Sequence, residues 1–201
     1  VFGDWSSDVC SSDLLAEAQG KLIMPGYTHM QHAQPILLGT YLLVYAEMLH
    51  RDRMRLEDLR RRVNVCPLGA GALAGSTLPL DRAFVAAELG FEAVAENSLD
   101  ATSDRDFCIE YIGACAMAML HLSRLAEDWI IYNTQEFKFL RIDDAFCTSS
   151  SMMPQKRNPD LLELVRGRSG RAVGALSGIL TLVKGQPLCY NRDMQDDKTH
   201  L

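Results

Sequence analysis

Apolar residues in this chain recur at spacings of three and four rather than at every second position. From Pro35 the pattern runs to about Asn64, with Leu38, Leu42, Tyr45, Met48, Leu49, Leu56 and Leu59 on one side, the period of a helix that buries one face. Its second half, "HRDRMRLEDLRRR", turns strongly charged, so the helix is expected to be buried at one end and wet at the other, with Glu57 and Arg61 in reach of each other. The glycine-rich "CPLGAGALAGSTLPL", Cys66 to Leu80, ends it. A shorter helix is predicted from about Leu80 to Leu89, stopped by Gly90. Ser103 or Asp104 then caps a very long helix whose buried stripe is Ile109, Ile112, Cys115, Met119, Leu122, Leu125, Trp129 and Tyr132.

A third long helix is predicted from near Asp160, an aspartate suited to the positive end of the helix dipole. Gly167, Gly170, Gly174 and Gly178 recur along it, each costing about 1 kcal/mol of helix propensity relative to alanine. Close approach of another helix is the expected compensation. A last helix starts near Asp193. No segment shows sustained strand alternation, so the fold class is read as all-α. Helices of about 25 to 30 residues, against an average of about 11 to 12, suggest an elongated bundle.

The leader "VFGDWSSDVCSSDL", residues 1–14, follows neither period. Its "DWSSDVCSSDL" resembles a translated sequencing-adapter artefact, and it is set aside as a non-native leader. The bundle is then residues 15–201, with a polar loop near 147–159 and truncation expected at both ends.

A formal net charge of −6 leaves no electrostatic footprint for nucleic acid or an acidic membrane. Apolar runs are interrupted by charges well short of a spanning length, so no transmembrane helix is expected. The six cysteines (Cys10, Cys66, Cys108, Cys115, Cys147 and Cys189) form no C-x-x-C pair and have no histidines at metal-ligand spacing. They read as reduced, mostly buried thiols of a cytoplasmic protein, and no metal is expected.

Three polar segments stand apart from the helices. "YTHMQHAQP", Tyr27 to Pro35, gathers His29 and His32 with Thr28, Gln31 and Gln34 in a polar turn; a single histidine in such a turn is more often a structural hydrogen-bonder. "TSSSMMPQKRNPD", Thr148 to Asp160, offers the hydroxyls of Ser149, Ser150 and Ser151, then Lys156, Arg157 and Asn158 as groups suited to a carboxylate. Read alone, it is equally a solvated cap ahead of a helix. "YNRDMQDDK", Tyr190 to Lys198, sets Gln195 and Lys198 three residues apart on one helical side, although such mixed charge is usually a surface face. The glycines of 66–80 match no phosphate-binding loop.

In combination, "THMQHAQP", "SLDATSDRDF" and "SSSMMPQKRNPD", in that order and separated by long helices, resemble the fumarase/aspartase superfamily. The likeness runs from about Leu15 to Leu201 and is strongest to the argininosuccinate lyase branch. Gln155 and "DATSDRDF" favour that branch over relatives acting on adenylosuccinate, fumarate or aspartate.

The resemblance implies an elimination that splits argininosuccinate into arginine and fumarate, without metal or organic cofactor. It implies a homotetramer whose active sites draw segments from three chains. Ser150 matches the catalytic serine base, His29 the catalytic histidine and Glu163 the acid that pairs with it. Thr28, Lys156, Asn158, Tyr190, Gln195 and Lys198 match substrate-contact positions, whereas His32, His50 and His121 match none and read as structural. Ser149 stands where relatives usually have glycine. These 201 residues alone are expected to be inactive. A sister lyase for another succinyl substrate, and a non-enzymatic crystallin-like structural protein, remain the alternatives.

Overall fold

The computed structural model describes residues 14–201, so nearly all of the leader lies outside the described residues. The elements run β1 (Ile23–Thr28), β2 (Gln31–Leu37), α1 (Leu38–Val63), β3 (Val65–Cys66), α2 (Arg82–Glu88), β4 (Ala93–Val94), α3 (Ser98–Ser103) and α4 (Asp106–Tyr132). A 3-10 turn at Asp144–Phe146, α5 (Asp160–Val183) and a 3-10 segment at Arg192–Thr199 follow. The class is all-α with two small two-stranded ladders. Among the described residues no helix is long and apolar enough to cross a membrane.

The residues form two compact units. One holds the described residues up to Arg53 together with Met117–Gly170; the other holds Met54–Ala116 and Arg171–Leu201.

In the first unit the expected polar turn is a β-hairpin. Strands β1 and β2 pair antiparallel from Ile23↔Leu37 to Thr28↔Gln31, with an irregularity between Pro25 and Tyr27. The chain reverses on His29 and Met30, at φ 54° and 59°, the left-handed pair that a two-residue hairpin turn needs. The helix expected from Pro35 therefore starts at Leu38. Two physical facts concealed the hairpin. Both strands are edges, so they tolerate Pro25 and Pro35, and β2 is exposed almost throughout, which removes the usual alternation.

The hairpin rests on an aromatic cluster. Tyr27 lies 5.5 Å from Phe137 and 6.1 Å from Phe139, ring centre to ring centre. Behind it, Tyr45 and Tyr41 both donate to Asp128 Oδ2, at 2.6 and 3.3 Å; burial first, then these partners, pushes both phenol pKa values up. His121 Nδ1 meets Asp52 Oδ2 at 2.6 Å with both residues buried, the structural role expected of His121. Leu42, Tyr45, Ala46 and Met48 form the buried side of α1 here, and Gly39 packs directly on the Gly20 backbone.

In the second unit Cys108 and Ile112 of α4 pack with Ile179 of α5, all buried, flanked by Ile109, Leu176 and Val183. The predicted stripe of α4 is otherwise half-buried, and the tightest positions are small ones such as Ala114, Ala116 and Ala126. Asp104, not Ser103, takes the capping role: its Oδ1 accepts from Asp106 N at 2.7 Å, while Ser103 Oγ turns back to Leu99 O. The charged end of α1 is wet, as expected; Arg61 pairs there with Asp58 at 3.9 Å and Arg62 with Glu110 at 2.7 Å. The glycine-rich segment is held by Arg82, which donates to Leu68 O and Ala95 O.

Three expectations are corrected in part. A Cβ at Gly178 would overlap the His200 imidazole, so close approach is real there, but among the described residues nothing outside the adjacent backbone of the helix comes within 4 Å of such an atom at Gly167, Gly170 or Gly174. The last predicted helix is a 3-10 segment; Asn191 before it makes no side-chain cap, and its Nδ2 donates to Pro187 O and Cys189 O. Of the five described cysteines, all free, only Cys66 and Cys108 are buried. The other three lie on faces that the chain only half covers.

Candidate active site

Thr28 and His29 occupy the exposed tip of the hairpin. A non-glycine residue at φ 54° is an uncommon conformation, and strain of this kind concentrates at functional sites. The pair behind the tip, Tyr27 and His32, is joined by a 2.8 Å bond between Tyr27 Oη and His32 Nε2. His32 thus braces the turn that presents His29.

The loop is closed at its base by Thr148 and Asn158, which exchange two backbone hydrogen bonds of 3.1 and 2.8 Å. The Asn158 side-chain amide makes no hydrogen bond among the described residues. Inside the loop, Ser150 Oγ accepts from the backbone N–H groups of Met152 and Met153, both at 3.3 Å. Two N–H dipoles aimed at one hydroxyl oxygen favour negative charge on it. Ser149 is not among the residues at positive φ, so the chain meets no backbone penalty there in this conformation.

The two loop cations differ in role. Arg157 is used internally, donating to Asp144 Oδ2 at 3.1 Å and to Pro154 O at 2.7 Å. That guanidinium, aided by Arg141, holds the Asp144 carboxyl below its ordinary pKa. Lys156 is exposed and its ammonium has no partner among the described residues; it remains available for an incoming carboxylate. Glu163 lies in the first turn of α5, also exposed. Among the described residues no ion pair joins it to His29.

Tyr190, Gln195 and Lys198 belong to the second unit. Gln195 Nε2 donates to Tyr190 Oη, and the buried Met194 anchors the segment between them. Lys198 Nζ lies 2.6 Å from Asp197 Oδ1. Asp197 is itself buried and receives Arg105 Nε on its other oxygen, at 2.6 Å. Neither Arg105 nor Asp197 stands out by residue type; the only signal in the sequence is that Arg105 lies within "DATSDRDF" and Asp197 directly before Lys198.

A cavity of about 850 Å³ in the first unit is lined by Leu22, Ile23, Tyr41, Trp129, Phe139 and Leu161, among others, and by none of the predicted site residues. Its lining is mostly apolar, with Gln19, Tyr41, Tyr132, Arg141 and Asp143 as the polar members. The chemistry is therefore read from the hairpin tip, the loop and the 3-10 segment.

The fold is helical, and its polar loop presents the Ser150 hydroxyl under two backbone N–H groups, an arrangement that can favour negative charge on that oxygen. Residues 12–174 match the family described as "Lyase", and the chain belongs to that family. More particularly, it is similar to the argininosuccinate lyases of Desulforudis audaxviator (strain MP104C), 58% identical over 93% of this chain, and of Legionella pneumophila (strain Lens), 59% identical over 96%. The chain spans only 41% and 47% of the length of these two relatives. Among solved structures it is similar to EDDS lyase in complex with formate, with a TM-score of 0.86 and 35% identity over 93% of this chain and 38% of that one. A variant of EDDS lyase with bound fumarate superposes equally well, at a TM-score of 0.86.

Proposed function

We propose that the chain is the central helical part of an argininosuccinate lyase, which releases arginine from argininosuccinate and leaves fumarate. The observation that carries the choice of substrate is the 58% identity, across 93% of the chain, to a protein of that name. Identity to EDDS lyase is 35%.

Each site residue then takes a role. Ser150, as its alkoxide, removes the proton from the carbon beside a substrate carboxylate, and the electron pair moves into that carboxylate. A serine hydroxyl is too weak an acid to ionise unaided at neutral pH, and the Met152 and Met153 N–H groups that already donate to it supply the stabilisation. Lys156 and Asn158 hold the doubly charged intermediate more tightly than the ground state, which lowers the barrier. The electron pair then returns to form the double bond of fumarate as the neighbouring carbon releases nitrogen with its bonding pair, and His29 gives a proton to the departing guanidino nitrogen, directly or through water. Glu163 pairs with that histidine and favours its charged form. Thr28, Tyr190, Gln195 and Lys198 complete the binding of substrate, with no cofactor.

The enzyme works as a cytoplasmic homotetramer in which neighbouring subunits contribute different segments to each site. This accounts for the lack of an ion pair between His29 and Glu163 among the described residues of the single chain. The 201 residues by themselves are expected to show no turnover.

The test follows fumarate release by ultraviolet absorbance from the full-length enzyme, with argininosuccinate and adenylosuccinate offered in parallel. Rapid release from argininosuccinate alone is the expected result. Release from adenylosuccinate alone transfers the assignment to the sister reaction, and silence from a folded tetramer overturns the enzymatic reading.

A further inference from the structure

Asp197 is only 3% exposed, and a carboxylate so placed needs compensating charge, since its desolvation costs several kcal/mol. It has two cations, one on each oxygen: Arg105 Nε on Oδ2 and Lys198 Nζ on Oδ1, both at 2.6 Å. Burial by itself pushes the Asp197 carboxyl up, but the bonds and charges of Lys198 and Arg105 outweigh it and hold the pKa below the ordinary value. The carboxylate is therefore ionised at neutral pH. Arg105 is fixed in its turn, because Nη1 donates to Asp104 O at 2.6 Å and the side chain is only 18% exposed.

The two cations have unequal surroundings. The Arg105 side chain is mostly buried, at 18% exposed, whereas the Lys198 side chain is 72% exposed. Of the three ammonium donors, Asp197 occupies one and leaves two facing outward. A lysine–aspartate pair alone carries no net charge and attracts an anion poorly. With Arg105 included, the group of three is net positive by one, and the exposed member is the lysine. A free lysine side chain also gives up about 2 kcal/mol of rotamer entropy when a ligand orders it; here a buried carboxylate orders it on folding.

We propose that Arg105 and Asp197 are positioning residues that fix the Lys198 ammonium for a substrate carboxylate and keep the group net positive. The proposal deepens the role given to Lys198 above and rests on that reading. It joins two segments distant in sequence, "DATSDRDF" and "YNRDMQDDK", into one binding element within a single unit.

The experiment is a double-mutant cycle in the full-length enzyme, measuring kcat, KM and thermal unfolding for the parent, Arg105→Met, Lys198→Met and the double variant. Each single change is expected to raise KM about tenfold, or about 1.4 kcal/mol, with kcat within a few-fold. Because Arg105 acts through Lys198, the double variant should be no worse than Lys198→Met alone. Additive effects, or an Arg105→Met loss confined to kcat that tracks the folded fraction, would overturn the positioning role while leaving Lys198 as a substrate contact. An unchanged KM in Lys198→Met overturns the underlying reading of Lys198 itself. Arg105→Lys keeps the charge without the guanidinium geometry and should give an intermediate KM; it carries the same cycle if Arg105→Met does not fold.

Discussion

At the scale of single residues, the chemistry depends on what each polar group has already been given to do. Arg157 and Lys156 are neighbours of like charge, yet Arg157 is spent on Asp144 and Pro154 while the Lys156 ammonium has no partner among the described residues. Ser149, Ser150 and Ser151 are indistinguishable by type, yet it is Ser150 whose hydroxyl receives two backbone N–H groups. Ser150→Ala in the full-length enzyme is accordingly expected to lower kcat by at least about 100-fold, within the range of a lost base, and to leave KM within a factor of about two. Steady-state kinetics checks this; a rate comparable to the parent removes Ser150 as the base. Asp197 allows a prediction in pH. Its folded pKa lies below the unfolded value of about 3.9, so its stabilisation is complete above that value and is lost as pH falls through the folded pKa. Asp197→Asn should therefore lower Tm at neutral pH, and the gap to the parent should narrow below about pH 4 in a series of thermal melts.

At the scale of elements, the long periodic helices and the short helix stopped by Gly90 (Arg82–Glu88) were legible, whereas the strands and α3 were not. The boundaries of α1, α4 and α5 fall within a few residues of where periodicity and capping groups put them. The hairpin was hidden because its turn uses His29 and Met30 where a sequence signal needs glycine or asparagine. The element that follows depends on a close crossing: a Cβ at Gly39 would lie 2.8 Å from Gly20 Cα and 3.2 Å from Ala16 O, both backbone atoms that cannot swing aside. Gly39→Ala gains at most about 1 kcal/mol of helix propensity against about 1 to 3 kcal/mol for overpacking. A net fall of a few degrees in Tm is expected by calorimetry, and a rise would show that the crossing yields.

At the scale of the whole molecule, the single chain leaves most of its proposed catalytic groups open to solvent. His29 and Glu163 are exposed and unpaired with each other, and among the described residues no side chain comes within 4 Å of a Cβ placed at Gly167, Gly170 or Gly174 of α5. If assembly supplies the missing partners, two full-length variants that are each inactive, His29→Ala and Ser150→Ala, should regain part of the parent activity when unfolded together and refolded as mixed tetramers. Some sites would then hold an intact copy of each residue. Mixtures that stay silent while forming tetramers would place both residues of a site on one subunit.

By itself the sequence determined the helical class, the positions of the long helices, and the three polar segments that mark the lyase family, because helical period and residue chemistry are local properties. The tertiary structure alone decided which of these polar groups are committed. It tied Arg157 into the loop and left the Lys156 ammonium without a partner among the described residues, turned the segment around His29 into a hairpin braced by His32, and put Arg105 beside Asp197 and Lys198 across a long stretch of chain. Hydrogen bonds and ion pairs between distant residues depend on distance and burial, and no period along a sequence encodes either.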